Sequence, residues 1–217
     1  MRLIAPDYYD VDIAGETTSL PMLQLDDQRA IALLMDIDMG LAFADRVGRA
    51  LAARFAAMTP EIVVGSATLG IPVAMEVSRH LGLDKYLILQ KSPKFHLADA
   101  LEEPVRSITS DKPQRLLLDR RQIPLLQGRR VVVVDDVIAT GASMAAAMRL
   151  VRRAGATVLG AGTILTEGIA WREALAEDAA LVQRLGRIPQ FRVVDGEARI
   201  DPASVEADMT RPEPVSG

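Results

Sequence analysis

The chain contains no cysteine, only two histidines, and 4% aromatic residues among its 217 positions. Without cysteine there is no disulfide framework, no thiolate metal site and no cysteine nucleophile. His80 and His96 lie far apart in sequence, which argues against a histidine-based metal site. No apolar run reaches the roughly 18–20 residues that cross a bilayer. Met1 to Asp10 carries acids and a proline where a secretory signal needs a basic head and an apolar core. The expectation is a cytoplasmic protein with no membrane partner. A formal net charge of -4 argues against general nucleic-acid binding.

What is present is a composition of 49% hydrophobic and 25% charged residues, enough to bury one large core. Met1 to about Leu25 has no sustained period, and Asp7, Asp10, Asp12, Gly15 and Pro21 read as loop or a loosely tied arm. Helical spacing starts at about Asp38 and runs to Ala57. Glu61-Ile62-Val63-Val64 reads as a buried strand, Ile71 to Leu81 as a helix closed by Gly82, and Tyr86 to Leu89 as a second buried strand. Lys91 to Arg115 is irregular, with a short strand expected near Val105 to Thr109, and loops of that length tend to be functional. Arg115 to Leu118 is a candidate strand. Arg130 to Asp135 is the clearest one, because four successive valines imply a central parallel strand buried on both faces. A helix over Met144 to Ala154, a strand over Ala156 to Ile164, a helix over Ala170 to Leu185 and a β segment from Phe191 follow. From about Ser204 the chain reads as disordered. The alternation predicts an α/β fold with an open, mostly parallel sheet and helices on both faces.

Ligands of such sheets sit beyond the carboxyl ends of the strands. There the sequence places Val-Val-Val-Val-Asp-Asp-Val-Ile-Ala-Thr-Gly-Ala-Ser over residues 131–143. The valines deliver Asp135 and Asp136 to the ligand end. Ala139, Thr140, Gly141, Ala142 and Ser143 then form a tight turn into the next helix, where small residues and the helix N-terminus suit a phosphate. Like charge keeps the two carboxylates off that phosphate, so they suit sugar hydroxyls or a hydrated Mg²⁺ nearby. A phosphate turn beside two hydroxyl-accepting acids describes a ribose 5-phosphate site. Neither a Gly-Lys-Ser/Thr loop nor a dinucleotide glycine pattern occurs in this segment.

This segment resembles the 5-phosphoribosyl-1-pyrophosphate (PRPP) motif of type I phosphoribosyltransferases, nearest to the xanthine- and adenine-type enzymes. The resemblance spans roughly Asp38 to Ile200. It implies that Asp135 and Asp136 hold the ribose hydroxyls and that residues 139–143 hold the 5-phosphate. It also implies a pyrophosphate loop at Ser66, Ala67 and Thr68, which lacks the Arg or Lys of some relatives, with Lys91 and Lys94 adding positive charge. Ser107-Ile108-Thr109-Ser110-Asp111 resembles the flexible catalytic loop of the xanthine enzymes. The implied domains are an N-terminal arm or hood at 1–37, a core at 38–200 with C-terminal hood elements, and a flexible tail at 201–217. Base selection would belong to about Leu20 to Asp38 together with Leu165 to Gly168; Phe43, Phe95, Trp171 and Phe191 are the aromatics to inspect for stacking, each expected to serve core or surface packing ahead of a base platform.

The implied reaction joins PRPP to a nitrogenous base, a purine, and releases pyrophosphate, with Mg²⁺ held mainly through PRPP and with a homodimer as the working unit. Two alternatives stay open: an orotate-type enzyme, and a PRPP-binding regulator without transferase activity. The short acidic arm, without a helix-turn-helix, disfavours a DNA-binding repressor.

Overall fold

A computed structural model describes residues 2–92, 99–105 and 114–205. The chain opens with a hairpin, β1 (Arg2–Ile13) and β2 (Glu16–Gln24), then β3 (Arg29–Ala32). After a short 3-10 turn at Asp36–Asp38 come α1 (Leu41–Phe55), β4 (Ile62–Ser66), α2 (Gly70–His80) and β5 (Tyr86–Leu89). β6 (Ala100–Val105), β7 (Gln114–Asp119) and α3 (Ile123–Leu126) precede the valine strand β8 (Arg130–Ile138). The chain continues through α4 (Ala142–Arg153), β9 (Thr157–Glu167), α5 (Trp171–Leu175), β10 (Val182–Ile188), β11 (Phe191–Val194) and β12 (Glu197–Ile200).

The central sheet has the order β10-β9-β8-β4-β5, and every pairing in it is parallel. The valines of β8 explain why it lies in the middle. Val132 and Val134 pack into one core with Phe43, Val47, Leu51 and Phe55 of α1 and Val73 and Val77 of α2. Val131 and Val133 pack into the other with Met144, Met148 and Val151 of α4. Alternation of side chains along a strand therefore feeds two layers of helices from one continuous apolar run. The open parallel α/β sheet expected from the sequence is the one observed.

Two expectations are corrected. Residues 2–24 are not loop: β1 and β2 join β3, β11 and β12 in a closed five-stranded barrel. Ile4, Val11, Ile13, Leu20 and Met22 are its buried faces, but the pairing register shifts between Leu3 and Tyr8, and that irregularity breaks the period of two. The helix expected over Ala170 to Leu185 stops at Leu175, where Ala176 takes a positive φ of 50°. The chain then runs through a 3-10 stretch into β10, which pairs with β9. The strand at Arg115 to Leu118 exists, but it pairs antiparallel with β6 in a separate two-stranded sheet.

The strand expected at Val105 to Thr109 ends at Val105, and its later positions lie outside the described residues. The expected tail is tied down at its start: the backbone N–H of Gln190 donates to Ser204 Oγ at 2.8 Å, and Ser204 is buried. Residues 206–217 lie outside the described part of the chain.

Candidate functional site

The carboxyl ends of β8 and β4 meet the first turns of α4 and α2, and the candidate residues gather there. Asp135 is 6% exposed, and its Oδ2 accepts a 2.6 Å hydrogen bond from the Ser66 hydroxyl at the end of β4. A Cβ on Gly70, the first residue of α2, would stand 2.7 Å from Asp135 Oδ1, so the bare glycine is what lets this helix approach the acid. Burial, reinforced by the charge of Asp136, pushes the Asp135 carboxyl up to about 7. Burial also raises Asp136, whereas the positive charge of Lys91 pulls both acids back toward ionisation. Lys91 is exposed at the end of the segment following β5, close enough for its charge to reach the pair. The backbone carbonyl of Asp136 accepts from the Thr163 hydroxyl at 2.9 Å, which secures β8 to β9 at this level.

Beyond the acids the chain turns into α4. Gly141 takes φ 78° at the N-cap, and a Cβ there would stand 2.8 Å from the Trp171 carbonyl oxygen. No side chain caps this helix start. The Ala142 N–H does point back toward the Thr140 hydroxyl, at 3.4 Å. A cavity of about 130 Å³ opens here, lined by Asp135, Val137, Ile138, Ala139, Thr140, Gly141, Ser143 and Met144. An anion placed in it would meet backbone amides at the positive end of a 12-residue helix.

The structure thus brings Asp135 together with Ala139, Thr140, Gly141 and Ser143. Ala142 is buried in the first turn of α4 and does not line the cavity, and neither does Asp136. In the expected pyrophosphate loop Ser66 is buried with its hydroxyl engaged by Asp135. The Ala67–Thr68 peptide is cis, the Ala67 N–H donates to the Leu89 carbonyl at 2.9 Å, and Thr68 accepts from the Ile71 N–H at 3.2 Å. Lys94, Phe95, Ser107, Thr109, Ser110 and Asp111 lie outside the described residues. Phe43, Trp171 and Phe191 are all buried as packing. Phe191 sits edge-on to Tyr9 at 5.1 Å inside the barrel, and the Trp171 indole N–H is held by the Gly168 carbonyl.

Away from the cavity, α1 and α2 place Asp45, Glu76 and His80 with ligand atoms within 4.8 Å of one another. Arg49 pairs with Asp45 and Arg79 with Glu76, and these arginines already neutralise the carboxylates. Two acids went unnoticed in the sequence. Asp36, buried beside α1 and α2, is raised to about 7, mainly by burial. Glu167, at the ligand end of β9, is also raised by burial. The available signal for Asp36 was an acid inside the otherwise apolar run Ala32 to Ile37.

Residues 36–190 match the phosphoribosyl transferase domain family. A xanthine phosphoribosyltransferase of Exiguobacterium is 31% identical over 147 residues, 67% of this chain and 75% of that protein. An orotate phosphoribosyltransferase of Pelotomaculum thermopropionicum is 34% identical over 123 residues, 57% of this chain and 53% of that protein. The chain therefore spans about half the length of the orotate enzyme it matches. Among solved structures, the adenine phosphoribosyltransferase of Thermoanaerobacter pseudethanolicus superposes with a TM-score of 0.66 at 17% identity, over 78% of this chain and 95% of that one. That likeness shows a shared fold.

Proposed function

The chain belongs to the phosphoribosyl transferase domain family, and from that premise we propose that it transfers 5-phosphoribose from PRPP to a purine base and releases pyrophosphate. The observation that carries this reading is the cavity between β8 and α4, which offers an amide-lined anion pocket on one side and the Asp135 carboxyl on the other. A phosphorylated ribose fits that pairing, because its phosphate seeks the helix N-terminus while its hydroxyls seek carboxyl oxygens. In this reading Ala139, Thr140, Gly141 and Ser143 hold the 5-phosphate, and Asp135 and Asp136 hold the ribose.

Asp135, raised to about 7, can donate as well as accept a hydrogen bond near neutrality. Ser66 orients it, and since the Ala67 N–H is already given to the Leu89 carbonyl, the turn at Thr68, with Lys91, is what is left to draw charge from the departing pyrophosphate. Negative charge beneath the sugar favours the positive charge that builds at the anomeric carbon. Mg²⁺ fits as a partner of PRPP more than of the chain, since Asp135 is buried with its Oδ2 already engaged by the Ser66 hydroxyl. When bound, the ion would neutralise pyrophosphate oxygens. Purine is favoured over orotate as the base, supported by the 31% identity to a xanthine phosphoribosyltransferase that the chain covers over 75% of its length. A cytoplasmic homodimer is the proposed working form. Among the described residues no helix is long and apolar enough to cross a membrane.

The test is pyrophosphate release from PRPP and Mg²⁺ with adenine, guanine, hypoxanthine, xanthine, orotate and uracil in turn. Release with one purine establishes the reading and names the base. Release with orotate alone overturns the purine assignment, and PRPP binding without release from any base overturns transfer in favour of a PRPP sensor.

A further inference from the structure

The anion turn rests on α5. A Cβ on Gly141 would lie 2.8 Å from the Trp171 carbonyl oxygen, 2.9 Å from the Trp171 Cα and 3.1 Å from the Ala174 Cβ. The backbone of α5 is therefore in direct contact with the residue that starts α4, and that residue lines the cavity with Thr140 and Ser143. The Trp171 side chain sets where α5 stands. The indole is buried in the same cluster as Ile138, Ala142 and Met144. Its N–H donates to the Gly168 carbonyl at 3.1 Å, which closes the chain between the end of β9 and α5. Gly168 is itself fixed to the sheet, because its N–H donates to the Ile188 carbonyl of β10 at 2.8 Å. The Arg172 and Arg184 guanidinium groups lie 4.7 and 5.9 Å from the indole ring centroid. Arg184 also donates to the Thr166 hydroxyl of β9 at 3.1 Å. One side chain thus ties the ligand end of the sheet to the backbone that supports the turn.

We propose that Trp171 is a positioning residue for the 5-phosphate: by holding α5 against Gly141, it keeps the amides of the anion turn converged on the place a phosphate takes. The inference rests on the phosphoribosyl reading above. Amides bind an anion tightly when they are arranged before it arrives, because a loop that must be ordered on binding spends affinity on its own entropy. Gly141, at φ 78°, has the widest backbone freedom of any residue type and no side chain to anchor it. Its restraint comes from the α5 backbone. The Ser66–Thr68 loop is held by other partners, the Asp135 carboxyl and the Leu89 carbonyl. Loosening Trp171 therefore acts on the phosphate end of the ligand and spares the pyrophosphate end.

The experiment is calorimetric binding of ribose 5-phosphate, Mg²⁺-PRPP and Mg²⁺-pyrophosphate to the full chain, for the wild type, Trp171→Phe and Trp171→Leu. Phe keeps an aromatic ring and removes the indole N–H, whereas Leu also gives up the ring under the two arginines. Trp171→Phe should weaken ribose 5-phosphate and PRPP by the same factor, roughly three- to tenfold, the scale of one hydrogen bond. Trp171→Leu should weaken both further. Pyrophosphate should bind all three proteins within about twofold. Unchanged affinity for ribose 5-phosphate overturns the proposal. So does a uniform loss across the three ligands, which is what general damage to the fold would give.

Should neither variant fold, hydrogen exchange on the wild type still decides. Ribose 5-phosphate should slow exchange in residues 139–145 and 168–175 together, because the turn and α5 form one unit. Slowing in the turn without α5 overturns the inference. Failure of the wild type to bind ribose 5-phosphate or PRPP removes the phosphoribosyl reading itself, whereas wild-type binding with unaltered affinities in the variants removes only the role of Trp171.

Discussion

The Ser66 hydroxyl donates to Asp135 Oδ2 across 2.6 Å and ties the carboxyl end of β4 to that of β8. The bond favours the charged form of an acid that burial pushes the other way. Ser66→Ala should therefore raise the Asp135 carboxyl further and cost about 1–2 kcal/mol of stability, the usual penalty for orphaning a buried acceptor. Chemical denaturation at pH 7 checks the second effect. Carboxyl-carbon NMR titration checks the first, with a midpoint moving upward as the expected sign.

Replacing both acids, Asp135→Asn with Asp136→Asn, should abolish PRPP-dependent turnover, a loss of at least about a thousandfold for removing charge that acts on the transition state. The fold should persist, because neither acid carries an ion pair with a described residue and Asn preserves the shape of each. Far-UV circular dichroism and pyrophosphate release are the two readouts, and retained activity would contradict the site assignment.

Stability should fall as pH rises. Asp36 and Asp135 are each raised from 3.8 to about 7. An acid whose pKa is higher in the folded chain binds protons more tightly when folded, so it stabilises below about 4 and loses that contribution between about 4 and about 7. Each group can contribute at most roughly 4 kcal/mol to this drop. Asp36→Asn should flatten the slope, so its stability relative to the wild type improves from pH 4 to pH 8. Urea midpoints at the two pH values test this, and a wild type more stable at pH 8 would refute it.

Gly141→Ala should lower both stability and PRPP affinity. The residue takes φ 78°, and the new Cβ would lie 2.8 Å from the Trp171 carbonyl oxygen and 2.9 Å from its Cα. Strain at such a position costs about 1–3 kcal/mol, and relief would shift the turn that shapes the cavity. Thermal unfolding and the Kd for PRPP should worsen together. A variant destabilised with unchanged PRPP affinity would separate the turn from the ligand.

How legible the site was depended on whether its signal was local. The valine run, the paired acids and the small-residue turn are contiguous, and contiguous residues on a strand and a helix start meet their ligand without help from distant chain. Ser66 was readable as part of a loop, but its bond to Asp135 crosses 69 positions of sequence. Val182 to Leu185 reads as the end of a helix because its composition suits either state. Pairing with β9 decides in favour of strand.

The sequence alone determined the parallel sheet and the cavity's wall, since an unbroken apolar run must be covered on both faces and the residues that follow it must emerge at the strand's carboxyl end. Tertiary structure alone decided that the termini close into a barrel, because β1 finds β12 across nearly the whole described chain and no local pattern encodes so distant a partner. It alone also gave Asp36 its character. An aspartate is an ordinary charged residue until α1 and α2 seal it from water beside Asp136, and only that enclosure makes its proton hard to lose.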